Sequence, residues 1–78
     1  MKLEIVSPEA QLFSGEVSSV TVPGALGSFQ ILNNHAPIIS ALDKGTIKVK
    51  NGKEEASFTI SGGFVEVLNN KLSAMVEE

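Results

Sequence analysis

Apolar residues recur at every second position through most of this chain, and over no stretch longer than about ten residues do they recur at every third and fourth. That period of two belongs to half-buried strands and excludes an amphipathic helix, so the chain reads as all-β. The clearest unit is Thr46–Ile60. Asn51-Gly52 tolerates positive φ at both positions, as a type I′ turn requires, and the flanks alternate, which predicts a hairpin. A two-residue loop at 51 and 52 pairs Ile47 with Ala56 and Val49 with Glu54. Ile47, Val49, Ala56, Phe58 and Ile60 then share one face, while Lys48, Lys50, Ser57 and Thr59 face water.

The same counting gives a second hairpin, Phe64–Leu68 with Lys71–Val76 around Asn69-Asn70, whose inner face is Val65, Val67, Leu72, Ala74 and Val76. Its other face carries Phe64, Leu68 and Met75 beside Glu66, Lys71 and Ser73. Either a loop packs on that face or a partner protein does. Ahead of these hairpins, Leu3 and Ile5 alternate in a strand that Ser7-Pro8 ends, and Gln11-Leu12-Phe13 is a short second run. Ser14-Gly15 reads as a turn into Glu16–Val22. Within that strand Val17 has the wrong parity for Val20 and Val22, which predicts a bulge or bend near Ser18-Ser19. Pro23-Gly24 closes the strand, Ser28–Leu32 is the next, Asn33-Asn34 breaks it, and Pro37–Leu42 resumes extended character.

Many short strands with frequent turns predict one β-sandwich or barrel domain over residues 1–78, without an internal repeat or linker. With 42% hydrophobic and 19% charged residues the chain is too apolar for disorder. At 78 residues it buries only about 60–65% of its unfolded surface, so a partner that covers more would add stability. It has no cysteine, no apolar run long enough to span a bilayer and no signal-type N-terminus, which predicts a soluble, cytoplasmic chain. A net charge of −3 argues against nucleic acid and against a polybasic membrane patch. The expected partner is a protein or a small molecule.

Several short stretches invite a chemical reading and fail it. Gly24-Ala-Leu-Gly27 would cradle an anion only if it opened a helix, but the strand-like Phe29-Gln-Ile31 follows and no Lys-Ser or Lys-Thr completes a phosphate loop. His35 is the only histidine, so a zinc site would have to be built almost wholly from carboxylates. A Ser40–His35–Asp43 relay lacks the strained turn that exposes a nucleophile, and His35 reads instead as a side chain fixing the turn before Pro37. The acidic pairs Glu54-Glu55 and Glu77-Glu78 point to opposite faces of a strand rather than converging on a cleft. Ser61-Gly62-Gly63, at the head of an apolar strand, predicts a bulge or the close approach of another backbone.

Four blocks, taken in order, carry a resemblance. Ile5-Val-Ser-Pro-Glu-Ala-Gln-Leu-Phe-Ser-Gly15, then Pro23-Gly24 with Gly27-x-Phe-x-Ile31 and His35-Ala-Pro37, then Gly45-x-Ile-x-Val49, then Ser61-Gly-Gly-Phe-Val-Glu-Val67, resemble the epsilon subunit of F-type ATP synthases across essentially the whole chain. The resemblance implies a β-sandwich of about ten short strands in two sheets. It also implies a non-catalytic rotor subunit, without cofactor or metal, that docks the gamma subunit to the ring of c subunits and couples proton flow to ATP synthesis. The implied location is the cytoplasmic face of a bacterial inner membrane, peripheral, within that complex.

By the same resemblance the loop of Gly24, Ala25, Leu26, Gly27 and Ser28 faces the c ring, and Ser7, His35 and Ser40 face gamma. Phe64 and Met75 are added to the gamma face from their pattern alone. Where family members carry an acidic residue this chain has Ser28, and where they carry glycine it has Gln30, which leaves the ring contact to shape and backbone hydrogen bonds. Typical members continue into a C-terminal helical pair; the chain stops after its last strand, so neither a helical brake nor a nucleotide site is expected. The competing reading is a free-standing small sandwich or barrel that binds a peptide or small ligand in an apolar pocket.

Overall fold

A computed structural model describes all 78 residues, Met1–Glu78, and every regular element is a strand. In chain order these are β1 (Lys2–Val6), β2 (Gln11–Glu16), β3 (Ser19–Gly24), β4 (Gly27–Leu32), β5 (Ile38–Leu42), β6 (Gly45–Asn51), β7 (Glu54–Ile60), β8 (Gly62–Leu68) and β9 (Lys71–Glu77). Nine strands form where about ten were expected. They belong to one hydrogen-bonded ladder, β2-β1-β9-β8-β5-β3-β6-β7, with β4 on the free side of β3.

That ladder folds into two layers because one link in it is minimal. β5 and β3 meet only at Leu42 and Gly24, through hydrogen bonds from Ala25 N–H to the Ala41 carbonyl (3.0 Å) and from Asp43 N–H to the Pro23 carbonyl (2.8 Å). Strands β2, β1, β9, β8 and β5 lie on one side of the joint and β4, β3, β6 and β7 on the other. Alternation then sends Leu3, Ile5, Val65, Val67, Leu72, Ala74 and Val76 inward from the first layer to meet Val20, Val22, Ile31, Ile47, Val49 and Ile60 from the second, in one buried cluster. Phe13 on β2 and Phe58 on β7 meet edge to face, centroids 6.0 Å apart, and close the side away from the joint.

In chain order the first passage between layers is at Val17-Ser18, where the expected irregularity is a bend that breaks the strand. Val17 exchanges backbone hydrogen bonds with Met1, while Ser18 N–H and Oγ both donate to the Lys50 carbonyl (2.8 and 3.0 Å). Val17 therefore sits buried between strands rather than on a strand face, which explains its parity. The expected turn at Ser14-Gly15 is not one: both residues lie within β2, paired with Glu4 and Leu3. The irregularity in this region falls instead between Ile5 and Val6. Pro23-Gly24 does not close β3 but ends inside it, and the turn is Ala25-Leu26.

Both predicted hairpins form. Around Asn69-Asn70 the register is the one counted from sequence, Val67 opposite Leu72 and Val65 opposite Ala74, with φ of 51° and 60° at the two asparagines. In the other hairpin the pairing is displaced by two residues. Val49 pairs with Ala56 and Ile47 with Phe58, because the two loop residues are Gly52 and Lys53, and only Gly52 has positive φ. That is the pattern of a type II′ turn, with glycine at the first central position. A displacement of two residues preserves parity, so the face assignments hold although the pairing does not.

Candidate functional site

β1 pairs in parallel with β9, and β9 in antiparallel with β8 and β8 with β5, which aligns Val6, Met75, Phe64 and Ala41 in one row across the outer face of the first layer. Ala25 continues the row through its hydrogen bond to Ala41, and Leu26 stands beyond it, fully exposed at the hairpin tip. Phe64 and Met75 are 61% and 66% exposed, values that place the ring and the thioether in solvent rather than under a loop. Ile39 and Leu68 extend the apolar surface along β5 and β8. Ile39 escaped sequence analysis; its signal was the register that sets it opposite Glu66, on the same face as Phe64.

A groove of about 500 Å³ opens at one end of this row, between Val6, Ser7 and Pro8 on one side and Phe64, Met75 and Glu77 on the other, with the backbone of Gly62 in its wall. Three of the five residues expected to face gamma, Ser7, Phe64 and Met75, thus come together. Ser7 is held by a local turn in which Ala10 N–H donates to its Oγ (3.2 Å) and Ser7 N–H donates to the Ala10 carbonyl (2.8 Å).

The other two lie apart. Ser40 pairs with the core residue Val65, so it points to the inner side of β5, half-buried, and its Oγ donates to the Ala41 carbonyl (3.2 Å). His35 sits beyond the opposite end of β5, beside the Asn69-Asn70 turn, to which Asn34 N–H is tied through Asn70 Oδ1 (2.8 Å). The His35 N–H donates to the Leu32 carbonyl (3.3 Å) and its Nδ1 lies 2.7 Å from the Ala36 carbonyl, contacts that shape the turn before Pro37.

The hydrogen bonds of the residues considered for a relay are all local. Ser40 bonds to Ala41, His35 to Ala36, and Asp43 Oδ1 accepts from Lys44 N–H (2.8 Å). The stretch Gly24–Ser28 is the tip of the β3–β4 hairpin, Gly24 opposite Gly27 and Pro23 opposite Ser28, with no helix behind it to aim amides at an anion. Gly24 is required by packing: a Cβ there would stand 2.7 Å from both the Gly27 carbonyl and the Phe29 ring.

Acidic residues outnumber basic ones in the first layer only. Glu4, Glu9, Glu16, Glu66, Glu77 and Glu78 belong to that layer or its loops with Lys2 and Lys71, whereas Lys44, Lys48, Lys50 and Lys53 lie on or beside β6 and β7 with Asp43, Glu54 and Glu55. Within that layer Glu4 pairs with Lys71 (3.5 Å) and Glu16 with the Met1 amino group (3.3 Å). Glu66 and Glu77, two residues from Phe64 and from Met75 along their strands, have no cation within ion-pair distance.

Fold and site together define a small two-layer β-sandwich whose most developed surface is an uncovered apolar row with an acidic border. Residues 1–78 match the family described as the ATP synthase delta/epsilon chain, beta-sandwich domain, and the chain belongs to that family. It is 47% identical to the ATP synthase epsilon chain of Chlorobium limicola, over 99% of this chain and 89% of that protein. Against the epsilon chain of Chlorobaculum tepidum identity is 44%, over 97% and 88%. Against that of Leptospira interrogans it is 39%, over 99% of this chain but 61% of that one. Two solved assemblies contain chains of the same fold. One is the central stalk and c-ring of the Tetrahymena thermophila mitochondrial ATP synthase (TM-score 0.86, 19% identity, 99% of this chain and 63% of that chain). The other is the Euglena gracilis mitochondrial ATP synthase (TM-score 0.90, 23% identity, 97% and 49%).

Proposed function

We propose that this chain is a non-catalytic rotor subunit of a proton-translocating F-type ATP synthase, docking the gamma subunit to the c ring on the cytoplasmic face of a bacterial inner membrane. The observation that carries the reading is the end-to-end match with the Chlorobium limicola epsilon chain, 89% of which is accounted for by these 78 residues.

The fold suits a mechanical role. Torque from an ion-driven ring reaches the catalytic head only if the connecting subunit resists shear, and a close-packed two-layer core deforms little. Here sixteen buried apolar residues interlock the layers, and the buried Met1 amino group, bonded to the Val17 carbonyl (2.9 Å) and to Asn33, ties the start of the chain to the corner between them. The gamma contact is assigned to the face of Ser7, Phe64 and Met75, with His35 and Ser40 contributing through the turn and strand they shape. The ring contact is assigned to the Ala25-Leu26 tip. The competing ligand-binding reading has no interior pocket to use, because the core is filled, and would have to use the groove on the outer face.

The test is assembly. Mixed with its cognate gamma subunit at micromolar concentration, the chain should co-elute in gel filtration as a stable complex; separate elution at that concentration rejects the rotor reading.

A further inference from the structure

Gly62 and Gly63 are neighbours in β8, yet the fold needs only one of them to be glycine. Gly63 has φ of 149°, and a Cβ there would collide with the Met75 carbonyl oxygen and approach Val76 Cα to 2.9 Å. Gly62 has neither constraint: its nearest neighbour would be the Leu42 carbonyl at 3.7 Å, an ordinary contact. It points outward with Phe64, opposite Glu77, so what its missing side chain provides is room in the groove.

That room adjoins Phe64 and Met75 and is bordered by carboxylates without partners. Glu77 lines the groove itself, and Glu66 lies on the far side of Phe64, lining a second hollow of about 370 Å³ with Ile39 and Leu68. Neither carboxylate has a lysine within ion-pair distance: Lys71 is engaged by Glu4, Lys2 stands on β1 between Glu16 and Lys71, and the other four lysines are on or beside β6 and β7. An apolar seat with unpaired negative charge on both sides is complementary to a segment that is apolar at its centre and basic at its edges.

We infer that the space over Gly62 seats one apolar side chain of the gamma-type stalk partner, on a segment whose lysine or arginine residues lie over Glu66 and Glu77. The inference rests on the rotor reading above and sharpens it to a position and a charge. Side chains at the centre of such a contact carry most of its affinity, while charges at its border govern salt dependence and rate of association.

Binding of the cognate gamma subunit to the full chain, labelled at a cysteine introduced by Lys53→Cys on the exposed turn far from the groove, separates the two. Gly62→Leu fills the seat and should weaken binding at least ~10-fold, with a melting temperature near that of the parent chain. Glu66→Gln combined with Glu77→Gln should leave the fold intact, weaken binding about 3- to 10-fold at low salt, and flatten its salt dependence. If both variants bind as the parent does, with the same salt dependence, the groove is not the seat, although the rotor reading survives. If the parent chain itself fails to bind gamma, the rotor reading and the inference fall together. Self-association of the chain that Gly62→Leu abolishes would assign the groove to a second copy and likewise overturn the inference.

Discussion

At the scale of single residues, the two glycines of Ser61-Gly62-Gly63 show what a sequence discloses and what it withholds. The pair announces a close backbone approach, and one exists, but only the β8–β9 register reveals that Gly63 rather than Gly62 lies against the Met75 carbonyl. Gly63→Ala should destabilise the chain by roughly 3 kcal/mol, from positive-φ strain together with the clash, whereas Gly62→Ala should stay within ~0.5 kcal/mol of the parent. Urea unfolding measures both. Equal losses at the two positions would mean that Gly62 is also a structural requirement. The candidate site divides in the same way. Phe64 and Met75 were legible because they break the polar pattern of an outer face. Ser40 was not, since its orientation depends on pairing with Val65, a contact between strands far apart in sequence.

At the scale of elements, turns were easier to find than to centre. Asn-Gly reads as the middle of a type I′ turn, but Asn51 here closes the ladder opposite Glu54 and Gly52 opens the loop. The ion pair of Lys50 with Glu55 (3.3 Å) goes with the observed register, in which the two stand directly opposite; the counted register would have set Lys50 against Lys53. Gly52→Ala should therefore cost ~1–2 kcal/mol, the penalty for a Cβ in left-handed backbone, while Asn51→Ala costs less because Asn51 is extended. Chemical denaturation of the two variants checks the assignment, and a larger loss at Asn51 would restore the turn counted from sequence. The strand break at Val17-Ser18 was visible only as a parity error. Its cause is tertiary, since Val17 is held by Met1 and Ser18 by Lys50, and no local pattern encodes those partners.

At the scale of the whole molecule, alternation identified the buried faces, but the order of strands stayed hidden. The parallel pairing of β1 with β9 joins the two ends of the chain, and the fold into layers turns on the single meeting of Gly24 and Leu42. A 78-residue domain has limited surface to bury, so an apolar row left outside the core is a reserve of stability that a partner releases. The magnitude follows from linkage. Gamma present at a hundred times its dissociation constant stabilises the bound chain by ~2.7 kcal/mol, and each kcal/mol moves the melting temperature of a domain this size by about 4–8 °C, so a rise of roughly 10–20 °C is expected. The chain has no cysteine, tryptophan or tyrosine, which lets a single label at Lys53→Cys report its melting against the signal of the partner. Phe64→Ser combined with Met75→Ser should melt alone within a few degrees of the parent, because both side chains are mostly in solvent, yet lose most of the rise at the same gamma concentration. A full rise in that double variant would move the gamma contact off this face, and no rise in the parent chain would remove gamma as its partner.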